Sequence, residues 1–127
     1  MFEDAARVRA KEAKTLETSG LLCGAVYLAG YVIECRLKTL LHKQGKRFPR
    51  SGAEGHNLQG LWNSAGLRVQ DLRGHRKLFM DTWSVSIRYE ASLPTDIDAY
   101  GLLEGARDLA SIVSIRIRRI KGKRRNG

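Results

Sequence analysis

The segment Gly20-Leu21-Leu22-Cys23-Gly24-Ala25-Val26-Tyr27-Leu28-Ala29-Gly30-Tyr31-Val32-Ile33-Glu34-Cys35-Arg36-Leu37-Lys38-Thr39-Leu40-Leu41 decides the fold. It is too long for an ordinary strand, and Leu21, Leu22, Ala25, Val26, Leu28, Ala29, Val32, Ile33, Leu37, Leu40 and Leu41 wrap most of a helical circumference. The spacing predicts a helix over about 20–44, packed on several sides by other helices. Its uncharged run, Thr18 to Ile33, is 16 residues, short of the roughly 20 needed to span a bilayer. Ser19 is placed to cap the helix start and Gly45 to end it. Gly20, Gly24 and Gly30 each cost up to about 1 kcal/mol where they are interior to a helix. With Ala25 and Ala29, they predict close approach of another helix, within the monomer or across a dimer.

Outward from this segment the pattern stays helical. Residues 3–18 place Ala6, Ala10, Ala13 and Leu16 on one stripe, with Arg7, Lys11, Lys14 and Glu17 facing water. A short element from His56 to Ala65 carries Leu58, Leu61 and Trp62, with Gly66 as its stop. A third long element spans roughly Arg76 to Ile87, through Leu78, Phe79 and Trp83. Glu90 to Leu93 reads as a connection. After Pro94, with Thr95 or Asp96 as cap, a final helix covers about 97–120 through Ile97, Leu102, Leu109, Ile112, Val113, Ile117 and Ile120. No strand pattern or internal repeat is present. The expected fold is all-α: an antiparallel four-helix up-and-down bundle plus one short helix, as a single domain over 1–120 with a basic tail at 121–127.

A chain of 127 residues suits one domain and excludes a two-domain enzyme. Its 43% apolar content excludes a disordered basic tail protein. Cys23 and Cys35 form no CxxC pair, so neither a disulfide framework nor a zinc site is implied, and a reducing, cytoplasmic compartment fits. The acidic opening Met1-Phe2-Glu3-Asp4 is unlike a signal peptide, and no membrane association is expected.

The net charge of +10 is localised. Residues 36–50 carry six bases and no acid, namely Arg36, Lys38, Lys43, Lys46, Arg47 and Arg50. Residues 116–127 carry seven and no acid, namely Arg116, Arg118, Arg119, Lys121, Lys123, Arg124 and Arg125. The remainder is slightly acidic. Such clusters neutralise phosphates and release counterions, which gives nucleic-acid affinity without sequence information; the alternative is a pair of solvated ends.

The search for chemistry excludes more than it finds. No glycine-rich phosphate loop is present, and His42, His56 and His75 have neither the spacing nor the nearby carboxylates of a zinc site. No metal and no cofactor is expected. Cys35 and His42 are too poorly placed to act as a nucleophile pair. Tyr27, Tyr31, Glu34 and Lys38 lie on one helical stripe, read as a structural polar face with Glu34 and Lys38 as a buried or half-buried ion pair.

The run Tyr27-Leu28-Ala29-Gly30-Tyr31-Val32-Ile33-Glu34-Cys35-Arg36-Leu37-Lys38 resembles the signature of HEPN domains (higher eukaryotes and prokaryotes nucleotide-binding), in which an aromatic and small-residue run leads into Glu-Cys-x-Leu-Lys. His56-Asn57-Leu58 with Leu61, and Trp83 with Arg88-Tyr89 after it, resemble two further family segments in the same order. The resemblance implies a compact helical bundle, commonly homodimeric, found beside small nucleotidyltransferases, in toxin–antitoxin pairs and in RNA-processing defence systems. Many members are metal-independent ribonucleases with an Arg, four to six residues, then His, in which His serves as acid or base and Arg stabilises charge. Here no histidine lies beyond Arg88. The pairs Arg36 to His42, Arg50 to His56 and Arg68 to His75 match the spacing only by accident, and the first diverges on a continuous helix.

These residues read together as a non-catalytic or accessory module binding RNA or nucleotide, acting with a nucleotidyltransferase or toxin–antitoxin partner. Its expected contacts are Arg36, Lys43, Lys46, Arg47, Arg50, Arg88, Tyr89, Arg116, Arg119, Lys123, Arg124 and Arg125. One alternative is a metal-independent endoribonuclease with His56, His75 and Arg88 as catalytic candidates. Another is a dimeric helical adaptor offering its basic tail to an acidic protein.

Overall fold

The computed structural model describes residues 2–49, 55–83, 93 and 97–126, with the side chains of 121–126 outside the description. It is all-α, with no strand among the described residues. The elements are α1 (Phe2–Thr18), α2 (Leu22–Lys43), α3 (Leu58–Ser64), a 3-10 turn (Val69–Asp71), α4 (Gly74–Thr82) and α5 (Ala99–Asn126). No described helix is long and apolar enough to cross a membrane.

α1 and α2 form a hairpin, and Gly20 makes it. With φ +78° it adopts a left-handed conformation that closes α1: the Gly20 amide donates to Glu17 O and the Leu21 amide to Leu16 O. Ser19 therefore belongs to the end of α1, and α2 starts after Leu21 with no side-chain cap, contrary to the expectation. Leu21 itself is 58% exposed, because it sits in the turn and not on the core face. Gly45 and Gly66, both at positive φ, end α2 and α3 by the same arrangement.

α2 is the core helix. Ala25, Val26, Ile33, Leu37, Leu40 and Leu41 are fully buried, in one cluster with Leu58, Leu61, Trp62, Phe79, Met80, Trp83, Leu102, Leu109 and Val113. A smaller cluster of Ala6, Val32 and Cys35, with Ala110 beside it, joins α1, α2 and α5. Glu17, expected in water, is half-buried and receives a bond from Arg107 Nη1 at 2.8 Å.

The direction of α5 sets which side chains share an end of the molecule. Ala29 shares a groove with Leu103 and Ala106, Val32 packs with Ala110, Arg36 bonds Ser114, and Thr39 shares a cleft with Ile117. Rising numbers on α2 meet rising numbers on α5, so the two helices run parallel, and α1 is antiparallel to both.

Two further expectations shift. Trp83 has extended backbone (φ −71°, ψ 133°) and ends α4 at Thr82, short of the expected Ile87; residues 84–92 lie outside the description. The close approach predicted at Gly30 is made by a side chain and not by a helix. An ideal Cβ on Gly30 would lie 1.9 Å from Trp83 Cε2, and the same indole donates from Nε1 to Tyr27 O at 3.0 Å. Gly20 meets nothing within 4 Å, and Gly24 meets Leu16.

At the start of α5 the cap is Asp98, whose Oδ1 accepts from the Gly101 amide at 2.8 Å. Thr95 and Asp96, expected in that role, lie outside the description. α5 then continues beyond the expected end near 120, to Asn126.

Candidate functional site

Parallel packing of α2 and α5 brings their C-terminal halves to one end of the molecule, and these halves carry the two basic segments. Arg36 leaves α2 half-buried and bonds Ser114 Oγ on α5. Ser114 and Arg118 are four residues apart, on one face of α5, and both line a cleft of about 230 Å³ with Arg7, Arg36 and Thr39. Burial first, and then the positive charge of Arg118, lower the Arg36 pKa; the guanidinium remains charged at any ordinary pH. Two guanidinium groups thus face one another across the α2–α5 seam.

The other expected contacts sort by position. Lys43, half-buried at the end of α2, lies 3.8 Å from Glu3 of α1. Lys46 spans the turn at Gly45 to donate to Ser64 O at 2.8 Å, closing the end of α3. Arg47 is exposed just beyond. Arg116 is half-buried and Arg119 exposed on α5. Lys123, Arg124 and Arg125 fall on the backbone of α5, with side chains outside the description. Arg50, Arg88 and Tyr89 lie outside the described residues altogether. The acidic first turn of α1 reaches the same end, where Glu3 meets Lys43 and Asp4 meets Arg7 at 3.0 Å.

A second constellation lies on another face of α2. Tyr27 Oη donates to Tyr31 Oη at 3.0 Å, and Lys38 Nζ donates to Glu34 Oε2 at 3.0 Å. Lys38 is 2% and Glu34 4% exposed, so the expected ion pair is present and fully buried. Glu34 is shared: its Oε1 lies 2.7 Å from His56 Nδ1. A carboxylate contact also occurs at His75, whose ring nitrogens lie 3.6 Å from Asp98 and 3.5 Å from Glu104. No group of three or more metal-ligating side chains occurs among the described residues.

His56 is held by Glu34 and by Tyr31. Its ring meets Tyr31 edge to face with centroids 5.6 Å apart, and Tyr31 in turn meets Trp83 at 5.5 Å. The α3 cap is Asn57, whose Oδ1 accepts from the Gly60 amide at 3.1 Å. Glu34 thus fixes one ring nitrogen of His56, while Nε2 is the nitrogen left uncommitted to it.

Of the accidental Arg–His spacings, the two whose residues are described bring no Arg to its His. Arg36 turns to α5, Arg68 pairs with Asp71 at 3.5 Å, and Arg50 lies outside the description. Sequence reading missed Ser114, the facing of Arg36 and Arg118, and the Glu34–His56 contact. For the first two the signal was there: residues 114 and 118 share a helical face, but which helix that face meets is a tertiary fact. Comparison with protein-family models, characterised proteins and solved structures returns no match.

Proposed function

We propose that this chain is a HEPN-type domain, an up-and-down four-helix bundle with one short helix, that binds RNA or nucleotide as an accessory module beside a nucleotidyltransferase or toxin–antitoxin partner. In this reading it is a cytoplasmic homodimer. One observation carries the binding part: α2 and α5 run parallel, so that Arg36 and Lys43 of the first basic segment lie at the same end as Arg116, Arg118 and Arg119 of the second. A polyanion crossing that end meets both segments at once. Released counterions then supply the affinity, without base-specific contacts.

The test is binding of a mixed RNA pool across a salt series. Affinity is expected to fall steeply as salt rises, and to collapse when residues 116–127 are deleted together with neutralisation of Lys43, Lys46 and Arg47. Binding that ignores salt, or survives those changes, contradicts the proposal.

A second reading, a metal-independent endoribonuclease, draws on the Glu34–His56 contact at 2.7 Å. A carboxylate that orients imidazole through Nδ1 sets Nε2 for proton transfer to or from a ribose hydroxyl. It predicts RNA cleavage in the presence of chelator, abolished in His56→Ala; RNA left intact by the pure protein after prolonged incubation rejects it.

A further inference from the structure

The cleft at the α2–α5 seam holds more positive charge than the protein balances. Its charged lining is Glu3, Arg7, Arg36 and Arg118. Glu3 is matched by Lys43 at 3.8 Å and Arg7 by Asp4 at 3.0 Å. Arg36 and Arg118 have no carboxylate partner among the described residues, and the positive charge of Arg118, after burial, disfavours that of Arg36. Arg36 also carries an Nε that is buried with no hydrogen-bond partner among those residues. A buried donor left unmade costs about 1–3 kcal/mol, more when charged, so the Arg36 Nε is a donor that a bound anion would satisfy.

The shape of the unmet demand narrows the anion. Two unbalanced guanidinium groups and the Ser114 hydroxyl are among the lining of the cleft. A phosphodiester within a chain brings one negative charge. A terminal phosphate monoester brings about 1.5 to 2 at neutral pH, with three acceptor oxygens, which matches the two arginines. Guanidinium groups suit such a group because their donors lie in a plane and bind phosphate in a fork.

Arg36 is also a wall of a second, adjoining groove of about 350 Å³ between α1, α2 and α5, lined by Ala10, Ala13, Ala29, Ala106 and Ala110. That volume lies within the range of small-molecule sites. Small side chains there leave room for the sugar and base attached to a terminal phosphate.

We propose that Arg36 and Arg118, with Ser114, form a recognition site for the terminal phosphate of an RNA strand, the end nucleoside lying in the alanine-lined groove. This rests on the RNA-binding reading and names a specific feature of the strand that it recognises.

The experiment compares one short RNA sequence in three forms, with a 5′-phosphate, with a 3′-phosphate and with hydroxyls at both ends, by fluorescence anisotropy of an internal label. One phosphorylated form is expected to bind about tenfold more tightly than the hydroxyl form, as one charge-assisted contact implies. The advantage is expected to vanish in Arg36→Gln and in Arg118→Gln, and to persist in Lys77→Gln, which lies on α4. Arg118 is exposed, so its variant keeps the test valid if Arg36→Gln fails to fold. Equal, salt-sensitive binding of all three forms overturns the phosphate site and leaves the RNA reading standing, as does a phosphate advantage that both arginine variants retain. Absence of binding to every form overturns the RNA reading. The site is then judged by titrating inorganic phosphate into the ¹⁵N-labelled protein: a shift of the Arg36 Nε resonance, absent with chloride, upholds it, and no shift rejects it.

Discussion

Replacing Gly30 by alanine tests the packing that seats α2. The new Cβ would stand 1.9 Å from Trp83 Cε2, 2.0 Å from Nε1 and 2.4 Å from Cδ2. Ordinary carbon contacts are about 3.5–4.0 Å, so the overlap is roughly 1.6–2 Å, beyond what a shift of a few tenths of an ångström absorbs. The collision is with the body of a rigid ring that is 7% exposed, and the indole must leave its site. Its departure forfeits the buried area, the Nε1 bond to Tyr27 O and the edge contact with Tyr31, which together match a Trp→Ala truncation at about 3–5 kcal/mol. Against a domain stability of about 5–15 kcal/mol, that is a large fraction. Urea unfolding monitored by far-UV circular dichroism measures it, for Gly30→Ala, Trp83→Ala and the double variant. Because both single changes vacate the same site, the double variant is expected to be no less stable than Trp83→Ala alone. Additive costs, or a Gly30→Ala cost under about 1 kcal/mol, would refute this reasoning.

The same geometry predicts three other outcomes. Glu34→Gln leaves the Lys38 ammonium buried without its carboxylate and is expected to cost about 3–5 kcal/mol, whereas Glu34→Gln with Lys38→Met recovers most of that loss; denaturant melts of the three variants check it. Burial first and the Glu34 carboxylate second push the Cys35 thiol pKa up, so the folded state holds this proton more tightly than the unfolded chain. That contribution is whole below the ordinary thiol value of about 8.5 and is lost as pH rises from there through the raised folded value; alkaline melts should show a shallower decline in Cys35→Ala, and half-buried Cys23 should alkylate ahead of Cys35. Asn57→Ala removes the α3 cap and is expected to cost about 1 kcal/mol by the same melts.

What the sequence disclosed was local. The Glu34–Lys38 pair was legible because residues four apart on a helix must meet, and the ends of α2 and α3 because Gly45 and Gly66 supply the positive φ that closes a helix. The basic segments were legible as composition, but their convergence depends on the relative direction of α2 and α5, which no local pattern encodes. Glu34 and His56 are brought together by the return of α3 over α2, a contact between distant residues. Gly30 advertised a close neighbour without saying that it was an indole, because a missing Cβ records space and not its occupant.

The convergence of the two basic segments is tested most directly by a strand too short to reach two separate ends. For an oligoribonucleotide of about four nucleotides, shorter when extended than α2 is long, the slope of log K against log salt counts the phosphates neutralised, at about 0.7 per contact on single strands. Neutralising Arg36 and Lys43 on one helix, or Arg116 and Arg119 on the other, is expected to reduce that slope in each case, with the combined variant losing both contributions. A slope that responds to one segment and ignores the other would contradict a shared binding end.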